Sequence, residues 1–382
     1  MSPILESIRN LFTPVQPFPP GVHHYQAPQD DPRNYRLHLR LEEDGSGILI
    51  VNAATVLHLN QTAAEYAFYL VKNVPAEQAA RNMASRYRIS RAEALKDYQD
   101  FVERIDTLVT TPDLDPVTFL DFDRQVPYSG EISAPYRLDC ALTYRLPEAE
   151  DPESAPIQRV SRELSTEEWK KVLDKAWQAG IPHAVFTGGE PTLRDDLVEL
   201  IANTEANGQV SGLLTDGLRF GDSDYLNSLL QTGLDHIMIV LQPDLQAAWT
   251  ALENAINADI FTAIHLTLTP QMKEFNSTLD RLAEMHVPAV SLSASTPDLS
   301  AELQAAREYA AHLDMALIWD LPVPYSPVNP VALEVEGDLP QGAGRAWLYV
   351  EPDGDVLPAQ GVNEVLGNFL NDPWEKIWKK EG

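Results

Sequence analysis

The chain has 382 residues, 28 Lys+Arg against 57 Asp+Glu, a formal net charge of −29 and one cysteine. At roughly 100–200 residues per domain the length predicts two or three domains with sizeable cores. The negative charge argues against nonspecific binding to phosphate backbones or anionic lipid, so neither nucleic acid nor a membrane is expected as a partner. One cysteine, Cys140, leaves no internal disulfide, no Cys-based zinc site and no iron–sulfur cluster held by the chain's own thiolates.

Residues 1–34 read as a tether. Ile4, Ile8 and Leu11 fit a short amphipathic helix, which Pro14, Pro17, Pro19 and Pro20 end. No basic start precedes an apolar run of signal-peptide length, and no stretch approaches about 18 uninterrupted apolar residues. The expectation is a soluble, cytoplasmic protein. His23 and His24, without a third ligand nearby, are expected in exposed linker.

Residues 35–110 form the next block. Leu37, Leu39 and Leu41 alternate with His38, Arg40 and Glu42, the period of a half-buried strand, and Glu43 to Gly47 supplies a turn. Ile48–Val51 and Thr55–Leu59 read as two further strands. Thr62 and Glu65 have capping-box spacing for a first helix, Pro75 starts a second, and Ser90 caps a third carrying Ala94, Tyr98, Phe101, Ile105 and Leu108 on one face. Three strands and three helices predict a small winged-helix-like α+β domain.

Three segments, Leu57 to Glu65, Ser85 to Ile89, and Asp97-Tyr98 with Phe101, resemble a PqqD-like domain, the leader-peptide recognition element of ribosomal-peptide modification pathways. The resemblance implies a precursor or leader peptide as partner, added as a strand to an open sheet edge. It places Leu37, Leu39, Leu41, Leu57, Leu59, Tyr98 and Phe101 at the peptide-binding site. A generic winged helix that binds DNA is the other reading, opposed by the acidic composition.

After a Pro- and Asp-rich linker, 111–135, strands alternate with helices over 136–320. Strands are expected at Tyr136–Tyr144, His183–Phe186, Val210–Thr215, Asp235–Leu241, Phe261–Leu268, Ala289–Leu292 and Met315–Trp319. Among the helices between them, Ser165 caps one that runs to Ala179. This order predicts an α/β fold with a parallel sheet, a full or partial (βα) barrel whose functional residues lie at the C-terminal ends of its strands.

One strand end carries Gly188-Gly189-Glu190-Pro191, where glycines admit close backbone approach and a carboxylate offers an acceptor to an ammonium group. With Thr215-Asp216-Gly217 on the next strand, this order resembles the radical S-adenosylmethionine (SAM) superfamily, and Gly188, Gly189, Glu190, Pro191, Thr215 and Asp216 fall at the SAM pocket. That family begins its chemistry at a CxxxCxxC loop after the first strand, whose thiolates hold a [4Fe–4S] cluster. Here those positions are Leu146, Glu150 and Glu153, and Cys140 lies on the strand itself as a small buried hydrophobe. The family's polar residues after the fourth strand correspond to Val240 and Gln242.

The C-terminal stretch 321–382 resembles a SPASM/twitch domain, with Pro352-Asp353-Gly354-Asp355 at a β-hairpin turn. Its auxiliary-cluster positions hold Gln341 and Ala359. The expectation is therefore no cofactor: no [4Fe–4S] cluster, and SAM bound weakly if at all.

The resulting reading is a cluster-less radical-SAM-like pseudoenzyme that holds a precursor peptide and serves as scaffold or partner, with a cysteine-complete radical SAM homologue as a further partner. Two alternatives stay open. One is an enzyme with non-radical chemistry, dependent on SAM or on a divalent cation held by Glu148, Glu150, Asp151 and Glu153; the other is a radical SAM enzyme completed by ligands from a partner. The ordinary reading of that acidic run is a solvated loop, and no metal site is assigned. His183 and His265 are open between acid–base groups and satisfied core histidines.

Overall fold

The computed structural model describes residues 15–28, 30–33, 35–111, 132–148, 150–258, 260–272, 275–334 and 340–378. The helix expected around Ile4 to Leu11, and all but the ends of the linker 111–135, lie outside the described residues. The chain divides into two units, 1–126 and 127–382.

The first unit holds a four-stranded antiparallel sheet in the order β1 (Gly21–Gln26), β2 (Arg36–Leu41), β3 (Gly47–Val51), β4 (Thr55–Leu59). Three helices follow: α1 (Gln61–Val71), α2 (Ala76–Tyr87) and α3 (Arg91–Thr110). Alternation puts Leu37, Leu39, Leu41, Leu49, Leu57 and Leu59 on one face, where they pack with Ala64, Ala67 and Val71 of α1 and Ile105 of α3. Burial of this face is the main stabilising term of the unit.

Two expectations are corrected. Residues 21–26 are not linker: they pair with β2 from Gly21↔Leu41 to Gln26↔Arg36, and His23 and His24 sit within that strand. The cap of α1 is Asn60, whose Oδ1 accepts from the Ala63 N–H at 3.0 Å. Glu65 is instead a buried acceptor for both Arg86 Nη2 (2.7 Å) and Tyr87 Oη (3.0 Å), tying α1 to α2.

The second unit is built on one sheet of ten strands. Its parallel part is β5 (Arg137–Thr143), β6 (His183–Gly188), β7 (Val210–Thr215), β8 (His236–Val240), β9 (Phe261–Leu268), β10 (Ala289–Ala294) and β11 (Ala316–Leu317). Helices α4 (Thr166–Ala179), α5 (Leu197–Asn207), α6 (Ser223–Thr232), α7 (Gln246–Asn257), α8 (Phe275–Glu284) and α9 (Ser300–His312) connect them. Ser165 caps α4 as the sequence predicts, with the Glu168 carboxylate accepting from its N–H at 2.9 Å and its hydroxyl at 3.0 Å.

Each strand serves two layers. On the helix side, Cys140, Phe186, Leu213, Ile239, Ile264 and Val290 pack with Trp169, Leu173, Leu200, Leu229, Leu252 and Leu279. On the other side, Val185, Leu214, Met238, Ala263 and Ala289 make a separate apolar layer inside the curve of the sheet. Near-continuous burial of such strands is the signature of a parallel sheet covered on both faces.

The C-terminal stretch extends this same sheet. β12 (Trp347–Val350) adds parallel to β5, from Trp347↔Arg137 to Val350↔Cys140, and then pairs antiparallel with β13 (Asp355–Leu357), followed by β14 (Gly367–Asn368) and the short α10 (Trp374–Ile377). The expected hairpin turn is present: Gly354 takes a φ of 92° and donates its N–H to Glu351 O at 2.9 Å. Among the described residues no helix is long and apolar enough to cross a membrane.

Candidate functional site

The residues that end β6 are set by contact with the chain leaving β5. Gly188 has a φ of 124°, and a Cβ there would lie 2.2 Å from Thr143 O; at Gly189 it would lie 2.4 Å from Arg145 O. Only glycine fits either place. The backbone then pairs, Gly189 N–H donating to Thr143 O at 2.8 Å and Glu190 N–H to Arg145 O at 2.9 Å. The glycines thus admit the neighbouring loop, a role beyond the ligand approach expected from sequence.

Glu190 is 4% exposed and ringed by donors. Its Oε1 accepts from Thr192 N (2.8 Å) and Thr215 Oγ1 (2.8 Å), and its Oε2 from Asp216 N (2.7 Å). Burial raises the pKa of this carboxyl, the Asp216 carboxylate raises it further, and the hydrogen bonds oppose both. Burial also raises Asp216. Two carboxyl groups held together in a poorly solvated place favour a cation from a ligand. Pro191 is buried in the short helical turn 191–193 and does not line the cavity described next.

Gly189, Glu190 and Asp216 open onto a cavity of about 750 Å³ at the C-terminal ends of the strands. Leu146, Glu150, Val240 and Gln242 line it as well. Burial, then the charge of Asp216, raises the Glu150 carboxyl. Glu153 is exposed, its N–H turned to Asp151 Oδ1, and it is not part of the lining. Gln341 is exposed, and Ala359 is buried in a small cluster with Ala343, Ala346 and Trp347. Among the described residues no group of three or more His, Cys, Asp or Glu is arranged to hold a metal ion, and none forms in the acidic loop.

The loop after β5 is clamped by aromatic residues. Tyr144 Oη donates to Glu351 Oε1 at 2.8 Å, its ring meets Tyr325 edge-on at 5.5 Å, and Tyr325 N–H donates to Gly188 O at 2.8 Å. Cys140 is 0% exposed, faces the helix layer, and burial pushes its thiol well above the usual range. The cavity lining therefore offers carboxylates and no thiolate.

The two histidines left open are resolved by their neighbours. His183 begins β6, the end opposite Glu190, and its Nε2 meets His236 Nε2 at 2.8 Å; burial lowers both rings. His265 is 0% exposed, with Nδ1 at 3.0 Å from Ser291 Oγ and Nε2 at 3.0 Å from Ser293 Oγ. It stands below Thr267, which lines the cavity. Arg281, Trp249, Gln271 and Tyr325 also line it and were not foreseen, although the rule that function gathers at strand ends pointed to their neighbourhood.

In the first unit, the side chains of Leu37, Leu39, Leu41, Leu57 and Leu59 are at most 4% exposed, and Tyr98 is 5% exposed among Tyr66, Ala80 and Met83. Phe101 is half-buried beside Tyr66. In the free chain these side chains belong to the core of the unit, the leucines by strand alternation and Tyr98 and Phe101 from α3, and it is the edges of the sheet that offer backbone. β2 is flanked by β1 and β3, so the free edges are β1 and β4.

Comparison with known proteins places this geometry. The Radical SAM superfamily profile matches residues 140–248. The PqqA peptide cyclase of Streptomyces rochei is 29% identical over 283 residues, 65% of this chain and 76% of that protein. The PqqA peptide cyclase of Methylorubrum extorquens (strain PA1) is 31% identical over 274 residues, 62% and 68% of the two. Among solved structures, Streptococcus suis SuiB bound to S-adenosylmethionine has a TM-score of 0.57 at 17% identity, covering 89% of this chain and 86% of that one. SuiB bound to its precursor peptide SuiA has a TM-score of 0.55 at 14% identity, covering 91% and 87%.

These relatives correct the expectation of no cofactor, SAM weak at most and no [4Fe–4S] cluster: the matching superfamily is defined by SAM, and SuiB was crystallised with SAM bound. The donor set here fits one part of that cofactor chemistry, the buried Glu190 with Asp216 suiting the ammonium of SAM. It does not fit the other from this chain's thiols, because the one cysteine lies in the helix-facing core. In sequence and fold alike, the chain belongs to the radical SAM superfamily.

Proposed function

We propose that this chain binds a ribosomal precursor peptide and works as a scaffold or partner in its modification, rather than as a self-sufficient radical enzyme. One observation carries the reading: the chain's single thiol is sealed in the core, while the carboxylate corner that suits an ammonium is intact at the cavity. Three thiolates cannot come from one cysteine. The likeness to peptide cyclases and to SuiB, whose structure includes a precursor peptide, supports a peptide as the substance handled.

The first unit is the recognition element of this proposal. The domain that resembles leader-peptide recognition elements spans 35–110, with β2 to β4 as its strands, and since β1 occupies the β2 side, β4 is the free edge of that three-stranded part. An extended peptide added there gains backbone hydrogen bonds in a two-residue repeat. A synthetic ribosomal precursor peptide with its leader should bind the full chain. N-methylation at alternate backbone nitrogens should abolish binding in one register and spare it in the other. Equal binding of both series would refute strand addition.

For the second unit, calorimetry should show SAM binding that weakens about ten-fold or more in Glu190→Gln, because an uncharged amide replaces the charged acceptor of the ammonium. Chain alone, with SAM and a strong reductant, should release no more 5′-deoxyadenosine than the Glu190→Gln variant. Release well above that level would make the chain a self-sufficient enzyme and overturn the scaffold reading.

A further inference from the structure

The sheet of the first unit carries its helices on one face, and strand alternation turns His38, Arg40, Ile48 and Ile50 to the other. An antiparallel sheet packed on one side commonly leaves its second face to water. Here that face is dry at its centre: His38 is 5% exposed, Arg40 2%, Ile48 2% and Ile50 1%, while His24 and His58 on the flanking strands are exposed. None of these central side chains joins the core made with α1 and α3, and α2 packs on those two helices. A narrow length of chain therefore lies across β2 and β3.

The residues underneath define the chemistry of that cover. Ile48 and Ile50 call for apolar groups, and a guanidinium taken out of water calls for acceptors. Glu42 accepts from Arg40 Nε at 3.1 Å, and the remaining donors are left to whatever lies above. Residues 112–126 have the matching composition, with Asp113, Asp115, Asp121 and Asp123 against Arg124, and with Val117, Phe119 and Phe122 among them. They follow α3 directly and fall within the first unit, which runs to 126. Arg33, just before β2, pairs with Asp106 near the end of α3, so the chain leaves that helix beside the start of β2. Fully extended, residues 112–126 reach at most about 50 Å, against about 20 Å for a strand as long as β2. The N-terminal stretch 1–14 suits the place less well. Its charges are Glu6 and Arg9, and it joins the rest of the chain on the helix side, where Gln61 Nε2 donates to Val15 O at 3.0 Å and Phe18 meets Phe68 edge-on.

We propose that the linker segment 112–126 docks on the outer face of this sheet, its carboxylates answering Arg36 and Arg40 and its aromatic residues covering Ile48 and Ile50. The inference stands apart from the peptide reading. Joined to it, the docking takes the outer face and leaves the β4 edge to an added strand.

The test uses the full chain with the photoreactive residue p-benzoylphenylalanine placed at His24 in one variant and at His58 in another, exposed positions on either side of the dry centre. After irradiation, digestion and mass spectrometry, crosslinks from both should fall in peptides of 112–126. The proposal is overturned if they fall in 1–14 or 136–378, or if none forms within the chain. Asp121→Asn combined with Asp123→Asn should lower the yield about three-fold or more at unchanged circular dichroism. An undiminished yield would overturn the charge pairing on which the assignment rests. The crosslink positions decide the docking even if the asparagine variant fails to fold. Leader-peptide binding is measured separately, and its loss would count against the peptide reading and not against the docking.

Discussion

The glycine corner after β6 and the loop after β5 touch along their backbones, yet they follow opposite rules. In the corner every residue type is dictated by geometry: Gly188 and Gly189 are closed to any Cβ, and Glu190 binds groups from both its own turn and β7. In the loop the backbone carbonyls of Thr143 and Arg145 make the contact with the corner, Glu150 lines the cavity, and Leu146 lines it while packing against the cluster of Tyr144 and Tyr325. A carbonyl is present whatever the side chain. The corner therefore resists substitution for reasons of folding, whereas the backbone contacts that the loop makes to it do not depend on side-chain type. Retention of Gly-Gly-Glu-Pro is partly a statement about packing, and ligand binding there needs its own test.

Corner and loop should differ most at Gly188. Gly188→Ala forces a Cβ onto Thr143 O in a left-handed backbone region, and it should cost about 3 kcal/mol or more in urea unfolding. Leu146→Ala, in the partly exposed loop, should cost about 1 kcal/mol or less. Comparable losses at the two positions would erase the distinction.

A smaller effect is expected at Glu190. Glu190→Gln places an amide against the Asp216 N–H and should cost about 1–3 kcal/mol. The pH dependence carries the sign of the shift. Because folding raises this carboxyl, the native state holds its proton more tightly, so wild-type stability falls as pH rises from the ordinary carboxylate range toward the raised value. Glutamine lacks that slope, and the gap between variant and wild type should narrow from pH 5 to pH 8. A gap that widens would show that Glu190 titrates in the other direction.

The smallest effect sharpens the position of the thiol. Native Cys140 should resist aqueous thiol reagents until unfolding, because it is 0% exposed and its thiolate is disfavoured by burial. Cys140→Ala should cost about 1 kcal/mol by leaving a small void among Leu138, Leu142 and Trp169. Rapid labelling of the folded chain would bring the thiol back into play at the cavity.

Much of the fold was legible because it rests on local patterns. Strands and helices of the parallel sheet follow from their apolar spacing, and Ser165 and Ser90 cap the helices they were expected to cap. Glu190 was marked by its chemistry at a strand end and Thr215 and Asp216 by the family resemblance, and the structure joins them by hydrogen bonds. Less legible were residues whose role depends on a distant partner. Val22 to Tyr25 form an edge strand because β2 offers them a ladder, which their own Pro-rich flanks do not signal. Arg281 and Trp249 lie on separate helices, and nothing in either local sequence states that they stack.

The sequence by itself determined the thiol count, the alternation of strands and helices, and the carboxylate at the end of β6, because these are properties of composition and of short-range period. The tertiary structure decided that β12 continues the sheet beside β5, that the paired glycines serve the neighbouring loop, that the leucines of the first unit are core, and that one arginine meets an acid-lined cavity. Each of these depends on residues far apart in the chain meeting in space, where backbone pairing and burial are settled by the folded whole.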